Sequence, residues 1–287
     1  MRIAHLTDLH FQVAPKATEL THPKRILGSS NLYLLGRHKK FSIQVQEAAI
    51  RAVIDQKPDV VLITGDITAQ ALPSEFELAY QNLKELLERQ PSFIIPGNHD
   101  IYTSNQIPRA MRQFFDPWLP KENPYLFDSG DIQALYIETC RVDWLSRGWV
   151  DPQSLSRATD LLRKAESKFR FLCIHYPILN RRGEAYGPSQ RAISNASILR
   201  QWLSEAPIDM VIHGHEHHGY TVPIQTGKGM VPSSNPGSSG YQLDEKRRRR
   251  AHYNIYTLEE GKVSTRRFAY HVDVFEPEIG GAYRSKG

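Results

Sequence analysis

Met1-Arg2-Ile3-Ala4-His5-Leu6-Thr7-Asp8-Leu9-His10 opens the chain. Ile3, Ala4 and Leu6 make its first half apolar enough for a buried strand, and Asp8 and His10 follow at the end of it. Side chains two apart in an extended segment share a face. A carboxylate and an imidazole so placed can grip one metal ion. The same arrangement recurs further along. Asp59 to Thr64 reads as a β-branched, buried strand and runs into Gly65-Asp66, and Ser92 to Ile95 runs into Pro96-Gly97-Asn98-His99-Asp100. Phe169 to Ile174 leads to His175, and Ile208 to Ile212 leads to His213-Gly214-His215-Glu216-His217-His218. Between the first two strands, Ser42 to Gln56 carries Ile43, Ile50, Val53 and Ile54 on one helical side and stops before Lys57-Pro58. Strand, helix, strand is the parallel crossover unit, so an α/β fold is expected.

In such a sheet ligands gather beyond the carboxyl ends of the strands. Asp8, His10, Asp66, Asn98, His99, His175, His215 and His217 would converge there from far apart in sequence. Oxygen and nitrogen donors without thiolate suit Mn, Fe or Zn and argue against a structural cysteine-zinc site. The donors exceed what one ion takes. Two divalent ions about 3.5 to 4 Å apart, bridged by a carboxylate, would use them, clamp a phosphoryl group and activate water.

Around these strands the reading is plainer. Residues 11 to 41 form a long connection without a regular element, basic through Lys16, Lys24, Arg25, Arg37, Lys39 and Lys40 against Glu19 alone, and interleaved with Ile26, Leu27, Leu32, Tyr33, Leu34 and Leu35. It is either an ordinary packed loop or a cap that touches an anionic, partly apolar ligand or a membrane surface. Pro73-Ser74 opens a helix with a Ser74-x-x-Glu77 capping box and a core stripe of Phe76, Ala79, Leu83, Leu86 and Leu87. Thr103 to Leu119 reads as a helix interrupted by Pro108 and Pro117, and Tyr125 to Val142 as two strands around Ser129-Gly130-Asp131. Asp151 caps a helix that begins at Pro152, and a further helix is expected near Ser197 to Glu205. Short strands continue to about Tyr270, the run Lys246 to Arg250 reads as a solvated loop, its alternative being contact with a phosphate or a membrane, and residues 276–287 read as a loose tail.

At 287 residues, 40% hydrophobic, the chain can bury a full core. No apolar run reaches the ~18 residues of a membrane span, and the N-terminal stretch has no secretory pattern, so a cytoplasmic protein is expected. Cys140 and Cys173 sit in apolar, strand-like surroundings and read as reduced, buried thiols. The net charge of +5 favours an anionic substrate or surface. No stable nucleic-acid partner is expected, since no groove-sized alternation of aromatic and basic residues occurs. Oligomeric state is not legible. Of the other histidines, His5 reads as a hydrogen-bonded core residue, and His213 and His218 as neighbours of the last motif.

Asp8-x-His10, Gly65-Asp66, Gly97-Asn98-His99-Asp100, His175 and Gly214-His215-x-His217 together resemble, in order, the signature of calcineurin-like metallophosphoesterases. The resemblance implies a four-layer α/β sandwich, two mixed β-sheets flanked by helices, in one domain spanning residues 1–275 with the insertion at 11–41. It implies that Asp8, His10 and His217 hold one metal, that Asn98, His175 and His215 hold the second, and that Asp66 bridges them, Mn2+ being the expected ion with Fe or Zn as alternatives. His99 would contact phosphate or protonate the leaving oxygen, with Asp100 orienting it, and a metal-bridging hydroxide would attack phosphorus. Pro23-Lys24-Arg25-Ile26-Leu27-Gly28 with Gly36-Arg37-His38 is similar to the insertion of bacterial relatives that include a UDP-2,3-diacylglucosamine pyrophosphate hydrolase of lipid A synthesis. That likeness points to a lipid-nucleotide substrate, to Arg25 and Arg37 as substrate contacts, and to peripheral contact with the inner membrane. The alternative is a cyclic nucleotide phosphodiesterase, although the further acidic residue those relatives often carry falls here at Ala69. A different class, a metal-binding scaffold without catalysis, would lack a ligand or His99.

Overall fold

Alternation along the strands decides the layering. In β1 (Arg2–Leu6), Ile3 faces one apolar cluster and Ala4 and Leu6 another, and in β2 (Val60–Ile63) Val60 and Leu62 part in the same way from Val61 and Ile63. A strand that is apolar on both faces must be covered on both. The computed structural model describes residues 1–20, 22–166, 168–187, 190–245 and 249–278, and arranges them as two six-stranded sheets packed face to face.

The first sheet has the order β12-β11-β10-β1-β2-β3, with β3 at Ser92–Ile94, β10 at His252–Glu259, β11 at Lys262–His271 and β12 at Val274–Pro277. β1, β2 and β3 run parallel, Ile3 opposite Val60 and Val61 opposite Ser92, while β10 lies antiparallel to β1. The second sheet has the order β4-β5-β6-β7-β9-β8: Tyr125–Ser129, Ile132–Tyr136, Phe169–Cys173, Met210–Ile212, Gly229–Asn235 and Tyr220–Thr226. Its β5, β6, β7 and β9 are parallel. Ile3, Val60, Leu62 and Phe93 meet Ala134, Phe171, Cys173 and Ile212 between the sheets.

The outer face of the first sheet is covered by α2 (Ile43–Asp55), α3 (Pro73–Arg89) and α4 (Arg109–Phe115), through Val53, Phe76, Leu83, Leu87 and Phe115. That of the second is covered by α5 (Pro152–Lys164) and α6 (Ala196–Glu205), through Leu155, Leu162, Leu199 and Leu203. The fold is the expected α/β sandwich of two mixed sheets flanked by helices. Both cysteines are buried free thiols, and no helix among the described residues is long and apolar enough to cross a membrane.

Three local expectations change. The 11–41 segment is not without regular structure: it holds α1 (Pro23–Leu34) between two short 3-10 turns, Ala17–Glu19 and Arg37–Lys40. His22 accepts from the Lys24 N–H and Pro23 takes the first helical position, a legitimate start that the weak helix formers Gly28 to Asn31 conceal. The tail begins later than residue 276, because Glu276 and Pro277 belong to β12 and Glu278 pairs with Arg267 and His252; residues 279–287 lie outside the described ones. At the start of α3 the acid that takes up the orphan N–H groups is Glu75, not Glu77. Its Oε2 accepts from Gln70 N (2.8 Å) and Leu72 N (3.2 Å), while the Ser74 hydroxyl donates to Glu19.

Glu75 is fully buried, and its Oε1 has no partner among the described residues. Burial pushes its carboxyl up to about 8 against those two hydrogen bonds. The folded state therefore keeps a proton that the unfolded chain has released. Glu75's favourable contribution is complete below the unfolded value of 4.5 and is lost as pH climbs through about 8. Glu75→Gln keeps the acceptor without the charge, and is expected to gain on the order of 3 kcal/mol over wild type between pH 5 and pH 9. Urea unfolding of both proteins at the two pH values checks this, and parallel pH profiles would contradict it.

Candidate metal centre

Five strands stop and the chain turns sharply: after β1 at Asp8, after β2 at Asp66, after β3 at Asn98, after β6 at His175, and after β7 at His215 and His217. Asp8, His10, Asp66, His215 and His217 all adopt left-handed backbone, with φ between 51 and 75°. For residues other than glycine each costs on the order of 1 kcal/mol and persists only where the surroundings enforce it. Close approach is the enforcing condition. A Cβ on Gly97 would overlap Asp66 N and Oδ1, and one on Gly214 would overlap Thr7 Oγ1 and Asp8 Oδ2, so the neighbouring strand ends can touch only because those positions are glycine.

The turns bring the donors into two groups that share one residue. Ligand atoms of Asp8, His10, Asp66 and His217 lie within 4.8 Å of one another, and so do those of Asp66, His175 and His215. Asn98 joins the second group, its Oδ1 3.1 Å from His175 Nε2 and 3.0 Å from His215 Nδ1. In the first, His10 Nε2 is 3.0 Å from His217 Nε2, 3.8 Å from Asp8 Oδ1 and 3.7 Å from Asp66 Oδ2. His217 Nε2 lies 3.2 Å from Asp8 Oδ1, and His175 Nε2 lies 3.3 Å from Asp66 Oδ2.

The outer nitrogens settle which inner atoms are acceptors. His175 Nδ1 sits 2.8 Å from the Thr64 carbonyl and His10 Nδ1 3.3 Å from the Thr68 carbonyl. A ring N–H donated there leaves Nε2 with its lone pair turned inward, toward carboxylate and amide oxygens that are themselves acceptors. Acceptor facing acceptor in a buried site requires a cation between them, so this donor set fits divalent metal.

For two of the rings the electrostatics agree: burial pushes His10 and His215 down to about 3, so both present neutral, ligating rings. Burial alone would lower His175 as well, but the Asp66 carboxylate beside it holds it up to about 9, so with no ion beside it this ring keeps a proton that a bound cation would displace. Burial works to raise Asp8, and His217 and His175 together more than offset this, leaving the carboxyl at about 2. The two carboxylates stay ionised and draw positive charge onto whatever faces them.

Residues 1–219 match the family pattern described as calcineurin-like phosphoesterase. The chain belongs to that family. With the donor set above, it is a metal-dependent hydrolase of phosphoric esters. Among similar proteins are a probable cyclic nucleotide phosphodiesterase of Pseudoalteromonas sp. (strain SM9913), 23% identical over 77% of this chain and 72% of the relative. A glycerophosphodiester phosphodiesterase, GpdQ, of Enterobacter lignolyticus (strain SCF1) is 25% identical over 76% and 71%. Among solved structures, a dimetal phosphatase from Danio rerio superposes with TM-score 0.61 at 12% identity, covering 92% of this chain and 94% of that one, a likeness of fold.

In this phosphoesterase a cavity of about 310 Å³ opens over the donors, lined among others by His99, Tyr102, Lys40, Arg191, Tyr241 and Arg249. His99 is near the metals' donors but outside both groups. Its Nδ1 is 2.6 Å from the Ala69 carbonyl and its N–H donates to Asp66 Oδ1, which leaves Nε2 for the cavity. Asp100 does not reach His99, contrary to expectation. Its carboxylate instead accepts from Ile67 N, Thr68 N, Thr68 Oγ1 and Gly97 N, tying the loop after β2 to the loop after β3, because a fully buried acid needs every donor at hand. The residue that orients His99 is Ala69, through a backbone atom that no side-chain motif could signal.

The expected substrate arginines fare differently. Arg25 spends its guanidinium on the carbonyls of Ala71 and Glu19 and does not line the cavity, since α1 turns it toward the start of α3. The side chain of Arg37 lies outside the described residues. Arg191, Lys40 and Arg249 line the cavity in their place. Of the run 246–250, residues 246–248 are outside the described ones, while Arg249 meets His218 at 2.9 Å and lies over the Tyr241 ring. His5 is the hydrogen-bonded core residue expected, between Tyr256 and Thr64.

Proposed function

We propose that this phosphoesterase hydrolyses phosphoric diesters at a dinuclear centre in a single domain. The observation that carries the reading is the sharing of Asp66 by two donor groups. Asp8, His10 and His217 would hold one ion, Asn98, His175 and His215 the other, and Asp66 both, with Mn2+ the preferred occupant and Fe or Zn alternatives. Bound there, the ions would act as Lewis acids that lower the pKa of water and neutralise phosphoryl charge.

The chain's own residues supply the rest. Asn98 donates an uncharged oxygen, so the centre carries only two carboxylates and an anionic ester can approach. His99, held at Nδ1 by Ala69, aims Nε2 at the cavity to contact a phosphoryl oxygen or to protonate the departing alcohol. Arg191, Lys40 and Arg249 give the cavity positive charge for an anionic substrate. The names of both curated relatives support a diester over a monoester.

A lipid-nucleotide substrate of the UDP-2,3-diacylglucosamine kind is a second reading, favoured by helix α1, which lines the cavity through Gly28, Asn31 and Leu32 and exposes Ile26, Leu27 and Leu34. A cyclic nucleotide is the alternative, and a cytoplasmic setting, in keeping with two free thiols, belongs to either. Turnover by the Mn-loaded protein of bis(p-nitrophenyl) phosphate, p-nitrophenyl phosphate, cyclic AMP and UDP-2,3-diacylglucosamine tests these readings together. Diester turnover exceeding monoester turnover by about tenfold or more is expected. Equal or reversed rates would overturn the diester reading.

A further inference from the structure

Helix α1 is mounted inside out. Its polar residues face the protein: Arg25 reaches Ala71 and Glu19, the Ser29 hydroxyl donates to Gln70 Oε1 at 2.7 Å, and the Tyr33 hydroxyl donates to the Val13 carbonyl at 3.0 Å. Gly28 gives way to Tyr102, with the Lys24 ammonium 4.6 Å from the centre of that ring. The apolar residues face outward: Ile26, Leu27, Leu34 and Leu35 are 49, 55, 83 and 69% exposed. Five polar or backbone-directed contacts fix this orientation, so the exposed face is built rather than incidental.

A second apolar prong stands beside it. Lys24 Nζ meets the Asp143 carbonyl, and Asp143 Oδ1 accepts from Leu145 N and Arg147 N in a turn that presents Trp144 and Leu145 at 69 and 58% exposure. Trp149, 40% exposed, follows. Both prongs reach the cavity wall, α1 through Asn31 and Leu32 and the turn through Ser146. Residues 11–41 and 141–149 together carry eight Lys or Arg against Glu19 and Asp143. Both of those acids are engaged, Glu19 by Ser74 and Asp143 by Arg147. Outward Leu and Trp on segments whose net charge is strongly positive match the headgroup layer of an anionic bilayer, where indole rings settle at the interface and a positive field favours anionic lipid.

We infer that α1 and the 143–149 turn dock this chain on an anionic lipid surface with the cavity mouth facing the bilayer. Docking rests on the reading of the cavity as the reaction site only for the orientation it implies. The occupant is a membrane rather than a shaped partner, because the two prongs stand on separate segments with an open cavity between them.

Flotation with vesicles tests it. The Mn-loaded full chain is expected to float with vesicles of phosphatidylcholine and phosphatidylglycerol and less with phosphatidylcholine alone. Leu34→Glu combined with Leu35→Glu, and separately Trp144→Glu, should reduce the floated fraction about tenfold while turnover of bis(p-nitrophenyl) phosphate stays at the wild-type rate. Wild type that stays in solution with both vesicle types overturns the inference, as do variants that float like wild type. A wild-type dimer in lipid-free sedimentation that both variants convert to monomer would assign the face to a second copy of the chain instead. Loss of diester turnover with flotation intact would count against the proposed reaction and leave the docking face standing.

Discussion

Asp66→Asn is expected to lower turnover by more than about 10³-fold and to prevent the protein from holding two ions. Among the described residues Asp66 alone belongs to both donor groups, with Oδ2 3.7 Å from His10 Nε2 and 3.3 Å from His175 Nε2. An amide there turns a donor N–H toward one group and removes a charge from both. The substitution also disturbs the acceptor for the His99 N–H, 2.7 Å from Oδ1, so the loop carrying His99 loses its tether at the same time. Metal analysis of the loaded protein should give fewer than two equivalents. Thermal unfolding offers an independent reading: ligand that binds only the folded chain stabilises it by about 2.7 kcal/mol at a hundred times its Kd, and most of that metal-dependent rise should vanish in the variant. Activity within about tenfold of wild type would remove Asp66 from the centre.

His99→Ala is expected to cost about 10² to 10⁴ in kcat, the usual range for a positioned acid, without changing the metal content, because His99 belongs to neither donor group. The dependence on leaving group tells the two proposed roles apart. If Nε2 protonates the departing oxygen, the loss will be small for p-nitrophenolate, which leaves unaided, and large for an alkyl leaving group. If His99 contacts a phosphoryl oxygen, the two losses will match. Asp100 makes a useful contrast. Its carboxylate collects four hydrogen bonds between the loops after β2 and β3 and none from His99, so its removal should lower stability and both substrates' rates together.

The donors were legible because a buried parallel strand is written as a short β-branched run, and the residues just past its end stand in the open before the chain turns. Val60 to Ile63 followed by Gly65-Asp66 is the clearest instance. What the sequence conceals is non-local or carried by backbone. β10 enters the first sheet beside β1 across some 250 positions of chain, and β9 slips between β7 and β8, pairings that no local period encodes. Orientation of His99 by the Ala69 carbonyl leaves no side-chain trace. Helix α1 is hard to read because Gly28-Ser29-Ser30-Asn31, all weak helix formers, break the apolar period in its middle. Ser74 has the look of a cap that would pair with Glu77, whereas Leu72 holds that position and Glu75 accepts its N–H from inside the helix.

The wide spacing of the donors sets an order of events during synthesis. His217 leaves the ribosome some two hundred residues after its neighbour Asp8, and the two cannot meet before β7 has formed and packed beside β1. β1 itself waits longer, for β10 at His252–Glu259 to complete its antiparallel side. Domains are made from the N-terminus onward at about 5 to 20 residues per second, so for ten seconds or more the nascent chain exposes Asp8 and His10 with no ring to oppose them. The donor set is thus complete only after β7 has been made and packed, so an ion that needs both groups would meet a chain already folded past that strand.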